Sequence, residues 1–136
     1  MSTRSNIARL NQDGSVTFIY CHYDGYLEHN GKLLLNHYSD KDLVDQLMEL
    51  GDLSSLRENI GTAHDFDDQS IDQCTFYGRD RGEDNIYISA KTCESLDKYL
   101  STDTEEYCYI WMGDHWKYRT GYDLKHHVLS EQKECQ

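Results

Sequence analysis

The sequence predicts an α+β fold in which an antiparallel sheet built from hairpins carries two or three helices on one side, with a mixed sheet as the alternative. Three observations predict it. Two glycine turns, Asp13-Gly14 and Gly113-Asp114, each lie between runs rich in alternating apolar residues. Helical spacing of apolar residues fills much of 31–51 and 92–100, and no repeat or linker divides the 136 residues. A chain of this length buries roughly two-thirds of its unfolded surface, so one domain over 1–136 needs neither metal nor disulfide to fold.

The elements follow in order. "NIARLNQDGSVTFIYCHY" reads as a hairpin, and because Val16, Phe18 and Tyr20 alternate with the fairly apolar Thr17, Ile19 and Cys21, its second strand is expected to be central and covered on both faces. Helices are expected at "GKLLLNHY" and "SDKDLVDQLMELG", the second with Ser39 as start signal, Leu43, Val44, Leu47 and Met48 as its apolar stripe and Gly51 as stop. "DLSSLRENIG" predicts a further turn of helix. "TAHDFDDQSIDQ" carries four aspartates without a base and predicts an acidic surface loop. "CTFYGRD" and "NIYISA" are strand candidates, and "TCESLDKYL" is a helix behind a Thr92 cap. In "EEYCYIWMGDHWKYRTG" a two-residue turn sets Trp111 opposite Trp116 and Tyr109 opposite Tyr118, an aromatic ladder expected on the core face. The polar tail after about residue 125 is expected to fray, with Leu124, Val128 and Leu129 as docking points.

Composition narrows function. Twenty-five acidic against 13 basic residues give a formal net charge of -12, which repels nucleic acid and anionic membranes and favours basic partners. The N-terminus has no apolar signal-like core and no run is long enough to span a membrane, so the expected location is the cytoplasm. Five cysteines at 21, 74, 93, 108 and 135, without C-x-x-C spacing, read as thiols of a reducing compartment. Phosphate-cradling glycine loops, H-E-x-x-H and nucleophile-elbow motifs are missing from the sequence, so no cofactor is expected.

Several stretches carry candidate chemistry. In "CHYDGY", Cys21, His22 and Asp24, with His29 nearby, are ligand types, but strand alternation turns Cys21 and His22 to opposite faces. That leaves His22 and Asp24 as a pair for a metal site or an oriented base. The plainer reading is a strand end in which Asp24-Gly25 makes the turn and Gly25 supplies positive φ. His64-Asp65 and His126-His127 match no metal spacing, although His22, His37, His64 and His115 are free to meet in space. In "GRDRGEDN", Arg79 and Arg81 stand among Asp80, Glu83 and Asp84, which reads as a self-paired loop rather than a phosphate site. The aromatic "YCYIWMGDHWKY" lacks the surrounding bases of a nucleobase platform and reads as core.

"MSTRSNI", "IYCHYDGY", "GDLSSL", "GRDRGE" and "YCYIW" resemble segments of small uncharacterised proteins encoded by bacteriophages and prophages. No catalytic residues accompany that resemblance. It implies a phage accessory protein in the bacterial cytoplasm, in a class where small acidic proteins inhibit host defence as antirestriction or anti-CRISPR proteins. It also suggests that Ser2, Thr3 and Arg4 are packed.

The resulting expectation is a non-enzymatic protein whose Asp65, Asp67, Asp68, Asp72, Glu83 and Asp84 mimic nucleic acid and occupy the basic surface of a host nucleic-acid-binding protein. A small metal-binding protein or hydrolase centred on His22 and Asp24 is the alternative. A homo-oligomer with an exposed aromatic hairpin face is a third.

Overall fold

The computed structural model describes residues 3–63, 65–66, 73–82, 88–102, 107–120 and 127–129. In chain order these form β1 (Ser5–Leu10), β2 (Val16–Cys21), a π-helical turn (Leu27–Gly31), α1 (Lys32–His37), α2 (Lys41–Leu50) and β3 (Leu53–Ser55). There follow β4 (Thr75–Phe76), α3 (Tyr77–Arg81), β5 (Lys91–Cys93), α4 (Leu96–Thr102), β6 (Tyr107–Trp111), β7 (Trp116–Thr120) and β8 (His127–Val128).

Both predicted hairpins form. β1 and β2 pair antiparallel with Leu10 opposite Val16, and Gly14 takes φ +92° in the turn. β6 and β7 pair with Trp111 opposite Trp116 and Tyr109 opposite Tyr118, around Gly113 at φ +107°. The two hairpins then join in parallel, β1 against β6, and β2 also pairs in parallel with β3. The sheet is therefore mixed, in the order β4-β3-β2-β1-β6-β7-β8, with β5 also on β2. The α+β class holds, and the mixed alternative replaces the antiparallel sheet. Strands buried on both faces, such as β1 with Ile7 and Ala8, are those that tolerate parallel neighbours.

The helices also lie on both faces rather than one. Ile7, Ile19, Tyr109, Trp111 and Trp116 meet Leu34 of α1 and Val44, Leu47 and Met48 of α2. Ala8, Val16, Cys108 and Ile110 turn the other way and pack with Tyr99, Leu96 and Leu100 of α4. The aromatic ladder belongs to the first core, so the exposed hairpin face that an oligomer would use is buried.

Other expectations need correction. Asp40, not Ser39, caps α2, its carboxylate accepting the Asp42 N–H at 2.8 Å, while Ser39 Oγ donates to the Leu35 carbonyl. Gly51 ends α2 with φ +85° as expected. "DLSSL" is not helical: Leu53–Ser55 is a fully buried strand, placed by β2 and β4 rather than by local propensity. In "CTFYGRD" the strand ends at Phe76 and a short helix begins. Residues 88–90 of "NIYISA" lie outside any strand, which forms instead at Lys91–Cys93; Ser95 rather than Thr92 caps α4, its hydroxyl accepting the Lys98 N–H at 3.1 Å. Part of the tail docks, with β8 on β7 and Leu129 buried.

Candidate functional site

The segment after β2 folds around one buried amide. The N–H groups of His22 and Tyr23 donate to the carbonyls of Leu53 and Ser54, and the chain then turns at Asp24, the residue with positive φ (+58°). Gly25 is not there for its φ. Its N–H donates to the Thr3 carbonyl at 2.8 Å, and a Cβ at this position would sit 2.7 Å from Ser5 Cβ. Close approach explains this glycine. Tyr109 Oη donates to the Gly25 carbonyl at 2.6 Å, tying the turn to β6.

The π-helical turn brings Asn30 back beneath this loop. Its amide donates toward Ser5 Oγ and Cys21 Sγ, both at 3.3 Å, and the Tyr23 carbonyl at 3.4 Å. Cys21 is fully enclosed, and burial pushes its thiol up to about 12, which leaves it inert as a ligand or nucleophile at neutral pH. Thr3 is packed through its carbonyl, Arg4 is exposed, and Ser2 lies outside the described residues.

His22 and Asp24 do not form the expected pair. His22 Nδ1 meets Tyr20 Oη at 2.7 Å and its ring packs edge-on against Tyr23, with centroids 4.6 Å apart. Asp24 uses its backbone carbonyl, which accepts the Asn30 N–H. Burial, then the nearby Arg4 charge, holds His22 below the ordinary histidine range, so its imidazole is neutral at pH 7. Among the described residues no three His, Cys, Asp or Glu side chains are arranged to hold a metal ion. His115 bonds its neighbour Asp114, and His64 and His126 lie outside the described residues.

A carboxylate that sequence reasoning passed over stands beside this histidine. β2 pairs with β5 as far as Phe18 opposite Lys91 and with β3 from Cys21 opposite Leu53, leaving a fork between them. Asp52 fills the fork, its Oδ1 accepting the Tyr20 N–H at 2.9 Å in place of a strand carbonyl. Its Oδ2 lies 3.9 Å from Lys91 Nζ, beyond hydrogen-bond reach. Burial pushes the Asp52 carboxyl above the ordinary range, against the lowering effects of the Tyr20 N–H and Lys91. Nothing in "LGDLSSL" announces this role, because the strand that follows Asp52 is set by pairing with β2 and β4 rather than by a local pattern.

The arginines of "GRDRG" serve the fold. Arg79 donates to both Asp80 oxygens and to the carbonyls of Ile60, Gly61 and Cys74, and Asp80 in turn accepts the Phe76 N–H. The self-pairing predicted there holds for Arg79 and Asp80. Arg81 lies over the rings of Phe66 and Tyr77, at 4.9 and 5.3 Å. An open groove of about 450 Å³ beside α2 is lined by Arg9, Asn11, Lys41 and Asp45 among others, with both cations bonded to Asp45.

Of the six acidic residues assigned to partner binding, Asp65 is exposed next to Phe66. Asp67, Asp68, Asp72, Glu83 and Asp84 lie outside the described residues. Among the described residues no helix is long and apolar enough to cross a membrane. No protein-family model matches this sequence, and comparisons with curated proteins and with solved structures find no match.

Proposed function

We propose that this is a small acidic binding protein of phage type, acting in the bacterial cytoplasm by occupying the basic surface of a host protein that handles nucleic acid, in the manner of antirestriction or anti-CRISPR inhibitors. The observation that carries the reading is the distribution of charge. Among the described residues ten carboxylates are exposed against six Lys and Arg side chains. Four of those six bases are already engaged: Lys41 with Asp45, Lys98 with Glu94, Lys91 facing Asp52, and Arg81 over aromatic rings. What faces outward is therefore mostly negative, with the formal charge of -12 behind it. Such a field accelerates encounter with a basic partner and repels nucleic acid itself. The resemblance of its motifs to segments of phage proteins suggests the setting.

A hydrolase or metal-binding reading has less support, because the His22 imidazole meets the Tyr20 hydroxyl rather than the Asp24 carboxylate. The test is capture of bacterial nucleic-acid-handling proteins on the full chain. A specific complex should form at low salt and dissociate near 0.5 M salt, where screening falls to a few ångströms, about 4 Å. Exchanging Asp65, Asp67, Asp68 and Asp72 for Asn, and Glu83 and Asp84 for Gln and Asn, should abolish it. A complex indifferent to salt and to these changes overturns the reading.

A further inference from the structure

We propose that the fork at Asp52 is an arginine-receiving pocket on the partner-binding surface, in which a guanidinium of the bound protein displaces the Lys91 ammonium from the Asp52 carboxylate and lies against the rings of Tyr20, His22 and Tyr23. This rests on the binding reading above and names its anchor.

Three observations converge here. The first is the state of the carboxylate: the Asp52 side chain is 12 % exposed, one oxygen takes the Tyr20 N–H, and the other faces an ammonium at 3.9 Å. Lys91 itself is 59 % exposed and sits on a three-residue strand, so it is a loosely held counter-ion that a better donor can replace. A guanidinium is that donor, since it is planar, weakly hydrated and carries directed N–H groups.

The second is the aromatic wall. By register Lys91 stands opposite Phe18 on the sheet face that Tyr20 and His22 share. The Tyr20 hydroxyl is fixed on His22 Nδ1, and His22 is fixed edge-on against Tyr23, which is 45 % exposed. Preorganised rings beside a carboxylate are the setting in which a planar cation gains from both charge and π-face. Neutral His22 adds no repulsion.

The third is continuity with the exposed Asp65. Tyr77, which lies against Ser54 and near Tyr23, packs its ring at a tilt on Phe66, the neighbour of Asp65, with centroids 5.6 Å apart. The same patch already holds a guanidinium over rings in Arg81. Asp65 and the fork are thus joined through aromatic contacts, with exposed charge at Asp65 and a short-range anchor at the fork, as hot spots with Tyr and Arg are built.

The experiment is a titration of the ¹⁵N-labelled full chain with N-acetyl-arginine amide, with N-acetyl-norleucine amide as the uncharged control. Saturable shifts are expected at Tyr20, His22, Tyr23, Asp52 and Lys91, with affinity about tenfold weaker in Asp52→Asn and several-fold tighter in Lys91→Met. Asparagine still accepts the Tyr20 N–H, so the Asp52→Asn variant keeps its fold. Should it unfold, the Lys91→Met variant decides alone. Shifts centred on exposed acids such as Asp42 and Glu49, equal effects of the norleucine amide, or affinities unchanged in either variant overturn the proposal. Those outcomes leave a salt-sensitive complex with a host protein standing, and loss of that complex leaves the guanidinium titration readable.

Discussion

Asn30 and Asp52 each bring a polar side chain out of solvent beside the end of β2, and the protein treats them in opposite ways. Asn30 is surrounded by Ser5, Cys21, the Tyr23 carbonyl and His29, so its amide is satisfied from all sides and the loop above it is closed by Gly25 and Tyr109. Asp52 keeps a charge where a neutral amide could accept the same N–H, and one of its oxygens faces an exposed, loosely held lysine. A neutral, sealed node serves the fold, because burying it costs little once its partners are met. A charge held in a half-open fork carries a desolvation cost that the fold does not require. The first region should therefore govern stability, and the second should govern recognition and pH response.

The largest break in this contrast comes from the sealed side. Gly25→Ala drives a methyl into Ser5 and the Thr3 carbonyl, and should lower unfolding free energy by about 3 kcal/mol in a urea titration. A loss under about 0.5 kcal/mol would show that the β1 start is pliable. Tyr109→Phe leaves the Gly25 carbonyl buried without its donor and should cost about 1 to 2 kcal/mol, read the same way.

On the open side, the effect lies in the slope against pH. Because burial raises the Asp52 carboxyl, the folded chain keeps that proton longer than the unfolded one. Its contribution is most favourable in acid and is lost as pH rises from the ordinary carboxylate value through the raised one. Asp52→Asn should remove this slope and leave stability at pH 7 within about 1 kcal/mol of the parent. A difference curve of the opposite sign would mean that Lys91 outweighs burial. His22 has the reverse dependence: its depressed pKa makes the folded state resist protonation, so stability falls as pH drops from the ordinary histidine value to the lowered one. An imidazole titration followed by NMR should place its midpoint below the ordinary histidine value.

What the sequence disclosed was local. Turn glycines, the alternation in β2, the Trp111 and Trp116 pairing and the stripe of α2 each depend on residues within one element, and each is found in the structure. The parallel junctions of β1 with β6 and β2 with β3 depend on partners far along the chain, and three residues such as "LSS" carry no period by which to announce a strand. The site divides in the same way. That Cys21 and His22 face apart follows from pleat geometry, whereas the choice of Tyr20 as partner for His22, and of Asp52 as acceptor for the Tyr20 N–H, depends on packing. Gly25 stands out in the sequence as a turn residue, yet what requires glycine there is the short distance to Ser5, a non-local quantity.

The parallel junction of β1 with β6 also sets an order of events in synthesis. Ser5 pairs with Tyr107 and Arg9 with Trp111, so the strand made first waits for one made roughly a hundred residues later. At ribosomal rates of about 5–20 residues per second, the edge of β1 stays without its neighbour for roughly 5–20 seconds. During that interval the nascent hairpin presents the backbone groups of an open strand edge to its surroundings. The core that Trp111 and Trp116 complete closes late, and folding should proceed as one slow final step rather than by accretion from the N-terminus.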